Sequence, residues 1–377
     1  MGDTITAAVI EQKNADFKLE QIKLADSPQI GEVLVHIVAS GICHTDQTVR
    51  DGSAGAYPYP GIVGHEGAGI VEKVGPGVST VKPGDHVILS YAYDGVCRQC
   101  RDGHPSSCVN WGKLNMSGTR PNGEVAFKKA DGTPVSNFFN QSSFTTETLV
   151  SERNVTVVDK SIDLRKVGPL GCGFVTGSGT VFNGLHPKEG RTMAIVGTGA
   201  VGAAAIMAAK IRGLGQIIGV DIVDSRLKMA KNLGATDTVN SKDSDWVKAV
   251  RDLTGGLGVD YLIDTTGVAP IMAHGVAALA SGGHFAPIAV TNKTLSFMPW
   301  NDLTASQRHV DGVLMGNAVP QDAIPDLIHF WQQGQFPFDQ LEKFYNFDQI
   351  NEANADSANG SVIKPVLVID HDYKPGQ

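Results

Sequence analysis

Two rhythms of apolar and polar residues run along the chain. Up to about residue 170 the apolar runs are short and interrupted. Val33-Leu34-Val35-His36-Ile37-Val38 and Gly69-Ile70-Val71-Glu72-Lys73-Val74 have strand composition, and Pro60-Gly61, Pro76-Gly77 and Lys82-Pro83-Gly84-Asp85 punctuate them as turns. This texture predicts a small, irregular β-barrel. After about residue 172 the pattern becomes strand, helix, strand. Residues 193–196, 216–220, 259–263 and 283–288 read as strands, and 201–211, 224–233 and 270–280 as helices. Such alternation indicates α/β architecture with a parallel, doubly wound sheet. A helix over 321–333 and a strand over 362–369 then predict a return to the first domain. The expected division is a β-rich domain from 1–173 and 316–377, with an α/β domain at 174–315.

Composition narrows the class. The chain has 377 residues and enough apolar material for packed cores, with 42% hydrophobic and 19% charged residues. A net charge of −8 argues against a nucleic-acid partner or an anionic membrane surface. Five cysteines, at 43, 97, 100, 108 and 172, are too few and too odd for a disulfide framework. The N-terminal residues lack a basic start followed by a long apolar run. Gly2 follows Met1, but its context reads as a strand, so acylation is not expected. The apolar stretch 270–290 is broken by His274 and Gly282-Gly283 and is too short to span a membrane. A cytoplasmic protein is the expectation.

Gly197-Thr198-Gly199-Ala200-Val201-Gly202 fits G-x-G-x-x-G between a predicted strand and a predicted helix. Asp221 follows at the end of the next strand, which completes a dinucleotide fingerprint. Gly197 allows the tight turn, Gly199 the approach of a pyrophosphate, and Gly202 close helix packing. Asp221 would accept the ribose hydroxyls and repel a 2′-phosphate, which favours NAD over NADP. Cys43, His65 and Cys172 together make a three-ligand zinc set with a fourth position open for water or an alcohol. Their separation in sequence leaves open whether they meet.

The pattern Gly64-His65-Glu66-x-x-Gly69-x5-Gly75-x-x-Val78 supplies the link. With Cys43-His44-Thr45-Asp46, Cys172, the glycine fingerprint and Ile363-Lys364-Pro365 in matching order, the chain resembles the zinc-containing medium-chain alcohol dehydrogenases over essentially its whole length. Leu89-Ser90-Tyr91-Ala92-Tyr93, Gly118-Thr119-Arg120-Pro121-Asn122-Gly123 and Gly171-Cys172-Gly173-Phe174 look most like the aryl- or benzyl-alcohol dehydrogenases.

The resemblance implies a GroES-like catalytic domain and a Rossmann cofactor domain. It implies reversible hydride transfer between NAD and a primary aromatic or allylic alcohol. Cys43, His65 and Cys172 would hold the catalytic zinc, and Thr45 would hydrogen-bond the alcohol. Asp46 would orient His65, and Glu66 would lie behind the metal. His44 and Lys364 would face the cofactor pyrophosphate, Thr176 and Val201 the nicotinamide, and Arg226 the adenosine ribose. Ser90, Trp111 and Phe138 are candidate pocket residues.

Asp94-x-x-Cys97-x-x-Cys100-x7-Cys108 resembles the family's structural-zinc lobe, with Asp94 where a fourth cysteine is usual. A Cys3Asp site is chemically valid, which makes two zinc ions per chain. Asp102 and His104 are local alternatives, as is a metal-free loop. Thr48 stands where many relatives place the histidine that ends a proton relay, so protons would leave by the cofactor ribose or by water near Thr48. The likeness also implies a homodimer or homotetramer, with a strand around 312–315 pairing across a two-fold axis. Two rival readings stay open. One is a formaldehyde dehydrogenase acting on a thiol adduct. The other, disfavoured by the intact ligand set and fingerprint, is a non-catalytic nucleotide-binding relative.

Overall fold

The ten-residue strand Glu32–Gly41 is buried along almost its whole length. A run that is apolar on both faces reads as an interior strand, covered on both faces and paired on both edges. Gly67–Val74 pairs with it antiparallel on one edge, and Glu147–Ser151 and Lys364–Val368 share the other. His86–Leu89, Val155–Val158 and Glu342–Asn346 complete this sheet. A second sheet orders Gly61–Ile62, Thr4–Ile10, Lys18–Leu24, Phe127–Lys128 and Pro134–Val135. This computed structural model describes every residue except 1, 2, 26, 54, 56, 243 and 377, so Gly2 lies outside the described residues.

The chain forms two compact units. The first comprises Met1–Cys172, Val319–Leu327 and Asp339–Gln377, and contains both sheets above. The second comprises Gly173–Ala318 and Ile328–Phe338. The return segment is therefore divided, unlike the single block expected from 316 onward. Its aromatic residues account for this, because Phe336 and Phe338 pack on Phe174 inside the second unit.

The second unit carries a six-stranded parallel sheet. Its spatial order is Asp237–Asn240, Gln216–Asp221, Thr192–Val196, Val259–Asp264, Leu279–Pro287 and His309–Val310. Numbered along the chain, this is the 3-2-1-4-5-6 order of a dinucleotide-binding sheet. The order reverses between Thr192–Val196 and Val259–Asp264, so the loop after Val196 emerges at the switch point, where such sheets bind ligands. Beneath one face, Trp246, Val250, Met272, Val276 and Phe285 pack against Ile218, Val220 and Leu262.

Two local expectations are corrected. The predicted helix over 270–280 breaks into Ala269–Ala273 and Gly275–Ala278, and the next strand begins at Leu279. The sheet's last strand is His309–Val310. Residues 312–315 form no strand, because the chain there turns into the tight Met315–Asn317 element. Among the described residues no helix is long and apolar enough to cross a membrane.

Candidate active site

Cys43 leaves the long central strand and becomes the N-cap of the helix His44–Arg50. Asp46, in the first turn of that helix, is completely buried and binds three ways. Its Oδ2 accepts from the Cys43 backbone N–H at 3.0 Å, and its Oδ1 accepts from the Gly64 N–H and from His65 Nδ1, each at 2.9 Å. One carboxylate thus fixes a cysteine and a histidine from separate segments. Cys172 arrives from a third segment, after the tight turn Gly168–Gly171. One ligand atom from each of Cys43, His65 and Cys172 lies within 4.8 Å of the others.

The donor set fits a zinc ion. With Nδ1 donating to Asp46, the other ring nitrogen keeps its lone pair free. His65 Nε2 is buried and has no hydrogen-bond partner among the described residues. Buried polar atoms are seldom left this way without a use, and a carboxylate-oriented histidine is the usual setting of a metal ligand. The hydrogen bond between the two sulfur groups, helped by burial, pushes the Cys172 thiol up, and the same hydrogen bond pushes Cys43 well down against its burial. For His65, burial favours the neutral ring, but the Asp46 charge and hydrogen bond and the Cys43 sulfur outweigh it and hold the pKa well above the usual range. A zinc ion would take the place of the proton on Nε2, since a ligating imidazole is neutral.

Behind this cluster lie two buried charges. Lys364 Nζ donates to both oxygens of Glu66, at 2.8 and 3.0 Å, and to the Ile42 carbonyl at 3.3 Å. Burial lifts the Glu66 carboxyl to about 7 even with the ammonium beside it. The Glu66 Oε2 sits so close to Gly41 that a Cβ there would lie 2.2 Å from it, so the strand requires glycine at that position. Lys364, expected to face a pyrophosphate, is instead directed at Glu66 and is 2% exposed.

The remaining residues sort clearly. Thr45 Oγ1 lies 3.7 Å from Cys43 Sγ, beside the ligand set. His44 is exposed at the start of its helix. The Thr48 hydroxyl is committed to the Thr45 carbonyl at 2.9 Å, so it closes a helical turn rather than offering an outer relay. Ser90, expected to face a substrate, is fully buried and donates to the Gly171 carbonyl at 2.6 Å, tethering the turn that presents Cys172. Phe138 and Phe139 wall the histidine, with ring centroids 5.3 and 4.7 Å from that of His65. Trp111 stands edge-on to Phe139 at 5.5 Å. Phe139 was not anticipated from the sequence, and its only signal was its place beside Phe138. Asn115 was also missed. It is buried and bonds to Ala92 N and O and to Trp111 O, while its own carbonyl accepts from the Phe139 N–H.

The second cluster is local. Asp94, Cys97, Cys100 and Cys108 each place a ligand atom within 4.8 Å of the others, whereas Asp102 and His104 are not part of the group. Cys97 Sγ is 3.5 Å from Cys100 Sγ and 4.0 Å from Cys108 Sγ. Tetrahedral thiolates at about 2.3 Å from zinc stand about 3.8 Å apart, so the spacing suits that metal. Asp94 Oδ1 accepts from the N–H groups of Val96 and Cys97, and Oδ2 from the Asn110 amide. Burial raises the carboxyl, but these bonds together outweigh it and hold the carboxyl well below the usual range.

In the second unit, Gly197 has φ +86°, and a Cβ on Gly202 would lie 1.9 Å from the Gly197 carbonyl. The loop and the helix Ala200–Ile211 therefore close tightly, while Gly199 faces open space at the helix N-terminus. That arrangement suits a pyrophosphate. Asp221 Oδ2 accepts from Thr198 N and Oγ1, at 2.8 and 3.0 Å, and Oδ1 accepts from Ile222 N and Val223 N. The carboxylate thus braces the phosphate loop from below. Val201 lies in the first turn of the following helix, and Thr176 Oγ1 contacts Met315 Sδ at 3.8 Å. Arg226 Nε is buried without a partner among the described residues, two residues into the helix Asp224–Leu233, which fits an adenosine-side acceptor.

Comparison with known proteins agrees with this construction. Residues 29–157 match the alcohol dehydrogenase GroES-like domain, and residues 200–333 match the zinc-binding dehydrogenase domain. A geraniol dehydrogenase of Castellaniella defragrans is 38% identical over 370 residues, covering 96% of this chain and 97% of that protein. The chain belongs to the zinc-containing alcohol dehydrogenase family. The structure of a benzyl alcohol dehydrogenase from Acinetobacter calcoaceticus is similar to this dehydrogenase with a TM-score of 0.93 and 43% identity, over 98% of this chain and 100% of that one. A probable S-(hydroxymethyl)glutathione dehydrogenase of Schizosaccharomyces pombe is 36% identical, over 97% of this chain and 98% of that protein. This dehydrogenase is accordingly an oxidoreductase with GroES-like and Rossmann domains that uses zinc and a nicotinamide cofactor.

Proposed function

We propose that this dehydrogenase interconverts primary aromatic or allylic alcohols and their aldehydes, with NAD as the hydride carrier. The observation that carries the substrate class is the aromatic group beside His65, with buried Phe138 and Phe139 against the histidine and half-buried Trp111 against Phe139. The partly exposed Trp111 ring, backed by these buried rings, suits a flat, apolar substrate body. The geraniol and benzyl alcohol dehydrogenases among its relatives support the same reading.

Cys43, His65 and Cys172 would hold the catalytic zinc, and Asp94, Cys97, Cys100 and Cys108 a structural one. When bound, zinc supplies Lewis acidity and NAD supplies a two-electron hydride acceptor. The chain's own residues do the rest. Asp46 keeps His65 in the tautomer whose Nε2 is bare. Thr45 Oγ1, beside the Cys43 sulfur, would accept a hydrogen bond from the alcohol and hand its own proton on as the alcohol proton arrives. Phe138 and Phe139 exclude water from the ring side of His65. The Thr48 hydroxyl already donates to the Thr45 carbonyl, so the proton would pass from Thr45 to solvent through the cofactor ribose or through water near Thr48. The Asp221 charge supports NAD over NADP.

An NAD-coupled panel of alcohols and aldehydes on zinc-loaded protein tests this reading. Benzyl and cinnamyl-type alcohols should exceed ethanol in kcat/KM, and NAD should exceed NADP. A profile led by ethanol or by secondary alcohols would overturn the substrate class. A second reading, favoured by the fission-yeast relative, is oxidation of a thiol–formaldehyde adduct, and a strict thiol requirement for formaldehyde oxidation would establish it. We further propose a cytoplasmic homodimer or homotetramer, supported by the short edge strand His309–Val310 and by five cysteines that pair in no disulfide and are assigned to zinc. Sedimentation of the zinc-loaded protein reads the assembly directly.

A further inference from the structure

The aromatic wall includes a polar atom that nothing so far uses. Trp111 opens the helix Trp111–Met116, and its indole Nε1 is shielded from solvent without a hydrogen-bond partner among the described residues. A shielded N–H without an acceptor is destabilising, and native folds rarely retain one unless something completes it.

The surroundings fix the ring in place. Asn115, one helical turn on, clamps the Trp111 carbonyl at 2.8 Å and both backbone groups of Ala92. The Asn115 carbonyl then accepts from the Phe139 N–H at 2.8 Å, joining this helix to the wall. Phe139, Asn140 and Ser142 have φ of 55°, 48° and 49°, a left-handed run without glycine in buried chain. Asn154 Nδ2 holds that run by donating to the Phe139 carbonyl at 3.0 Å. Strain of this kind persists where the surroundings over-determine it, and it clusters at functional sites. Here it sets the Phe139 ring between His65 on one side and Trp111 on the other.

We propose that the Trp111 indole N–H is a specificity subsite for aryl alcohols bearing a hydroxyl or ether oxygen on the ring, opposite the carbinol. The inference rests on the aromatic-alcohol reading above. A substrate ring packed against half-buried Trp111, with Phe139 buried behind it, carries its carbinol toward His65 and its far substituent toward the indole N–H. An oxygen there accepts the N–H, whereas a methyl group of similar size leaves it unpaired. Sites built to hydrogen-bond a substrate reject the analogue that lacks the partner.

The test pairs 4-methoxybenzyl with 4-methylbenzyl alcohol, and the two matching aldehydes as ligands measured by calorimetry. The wild-type enzyme should favour the methoxy compound about tenfold in kcat/KM and in aldehyde affinity, the effect of one hydrogen bond. In Trp111→Phe, which keeps a ring and loses the donor, both ratios should fall to about one. A wild-type ratio near one, or a ratio that persists in Trp111→Phe, overturns the subsite. Should the variant not fold, the wild-type ratios alone decide. Should no aryl alcohol be oxidised, the substrate reading fails, and the calorimetric ratio still decides the subsite.

Discussion

The two cysteine clusters of the first unit are made in opposite ways. Asp94, Cys97, Cys100 and Cys108 come from one loop, and neighbouring N–H groups of that loop already hold the Asp94 carboxylate. Cys43, His65 and Cys172 come from three separate segments and meet only because Asp46 ties two of them together and Ser90 tethers the turn before the third. The first cluster offers four ligand atoms and is closed. The second offers three and ends in a bare imidazole nitrogen. A closed set stabilises folding, whereas an open set leaves a position for chemistry. The contrast teaches that the cluster proposed to stabilise depends on local chain, while the one proposed to react depends on the whole domain.

The sharpest way to break this contrast is His65→Ala. Losing the Lewis acid forfeits several kcal/mol of transition-state stabilisation, so kcat/KM should fall on the order of 10³-fold or more. Metal analysis should show one zinc lost per chain and the loop zinc retained. Loss of both would mean that the clusters are not independent. Asp46→Asn should act more gently, with a 10- to 100-fold loss in zinc affinity or activity, because it disturbs orientation without removing a ligand. An unchanged pH–rate profile together with unchanged zinc affinity would remove Asp46 from the site.

The loop cluster should respond in the other currency. Asp94→Ala should lower the thermal midpoint on the order of 5 °C and release one zinc. Turnover per folded chain should change less than about threefold, and Asp94→Cys should restore the midpoint. A midpoint unmoved by Asp94→Ala would leave Asp94 as a turn cap and no ligand.

The same contrast explains what was legible in the sequence. The loop cluster could be read because its spacing is its geometry, and Asp94 stood in register with Cys97, Cys100 and Cys108. The glycine fingerprint was legible for a similar reason, since Gly197, Gly199 and Gly202 act within one turn. The distant ligands became readable only through the resemblance, because no local pattern brings Cys172 to Cys43. The bonds of Ser90 to Gly171 and of Lys364 to Glu66 could not be read from the sequence, because each partner lies far along the chain. Asn115 and Phe139 were invisible for the same reason. An asparagine inside a short helix has no sequence mark that its side chain will clamp Ala92, 23 residues back. The strand expected over 312–315 failed because a few apolar residues near glycine suit a turn as well as an edge.

The smallest effect concerns a charge that only the reactive side carries. Glu342 begins the strand Glu342–Asn346 and lies opposite Lys364 in parallel register. Both of its carboxylate oxygens are buried and unpaired among the described residues. Burial pushes its pKa up to about 9, with the Asp339 charge adding to the effect and Lys364 and Lys166 opposing it. The folded chain therefore keeps a proton that the unfolded chain releases near pH 4.5. Folding stability attributable to this group must fall as pH rises from about 4.5 to about 9. Asp94 has the opposite sign. Its carboxyl is depressed on folding, so its contribution is present above about pH 4 and is lost as pH falls. Glu342→Gln copies the neutral acid without its proton equilibrium. Its thermal midpoint should match wild type within about 1 °C at pH 5 and exceed it by a few degrees, on the order of 5 °C, at pH 8. The same gain at both pH values would mean that Glu342 acts through packing and not through charge. A loss at pH 8 would mean that its carboxylate is ionised and paired. Only a gain confined to high pH fits a buried acid forced to ionise behind Lys364, with the loop cluster growing less stable in the opposite direction.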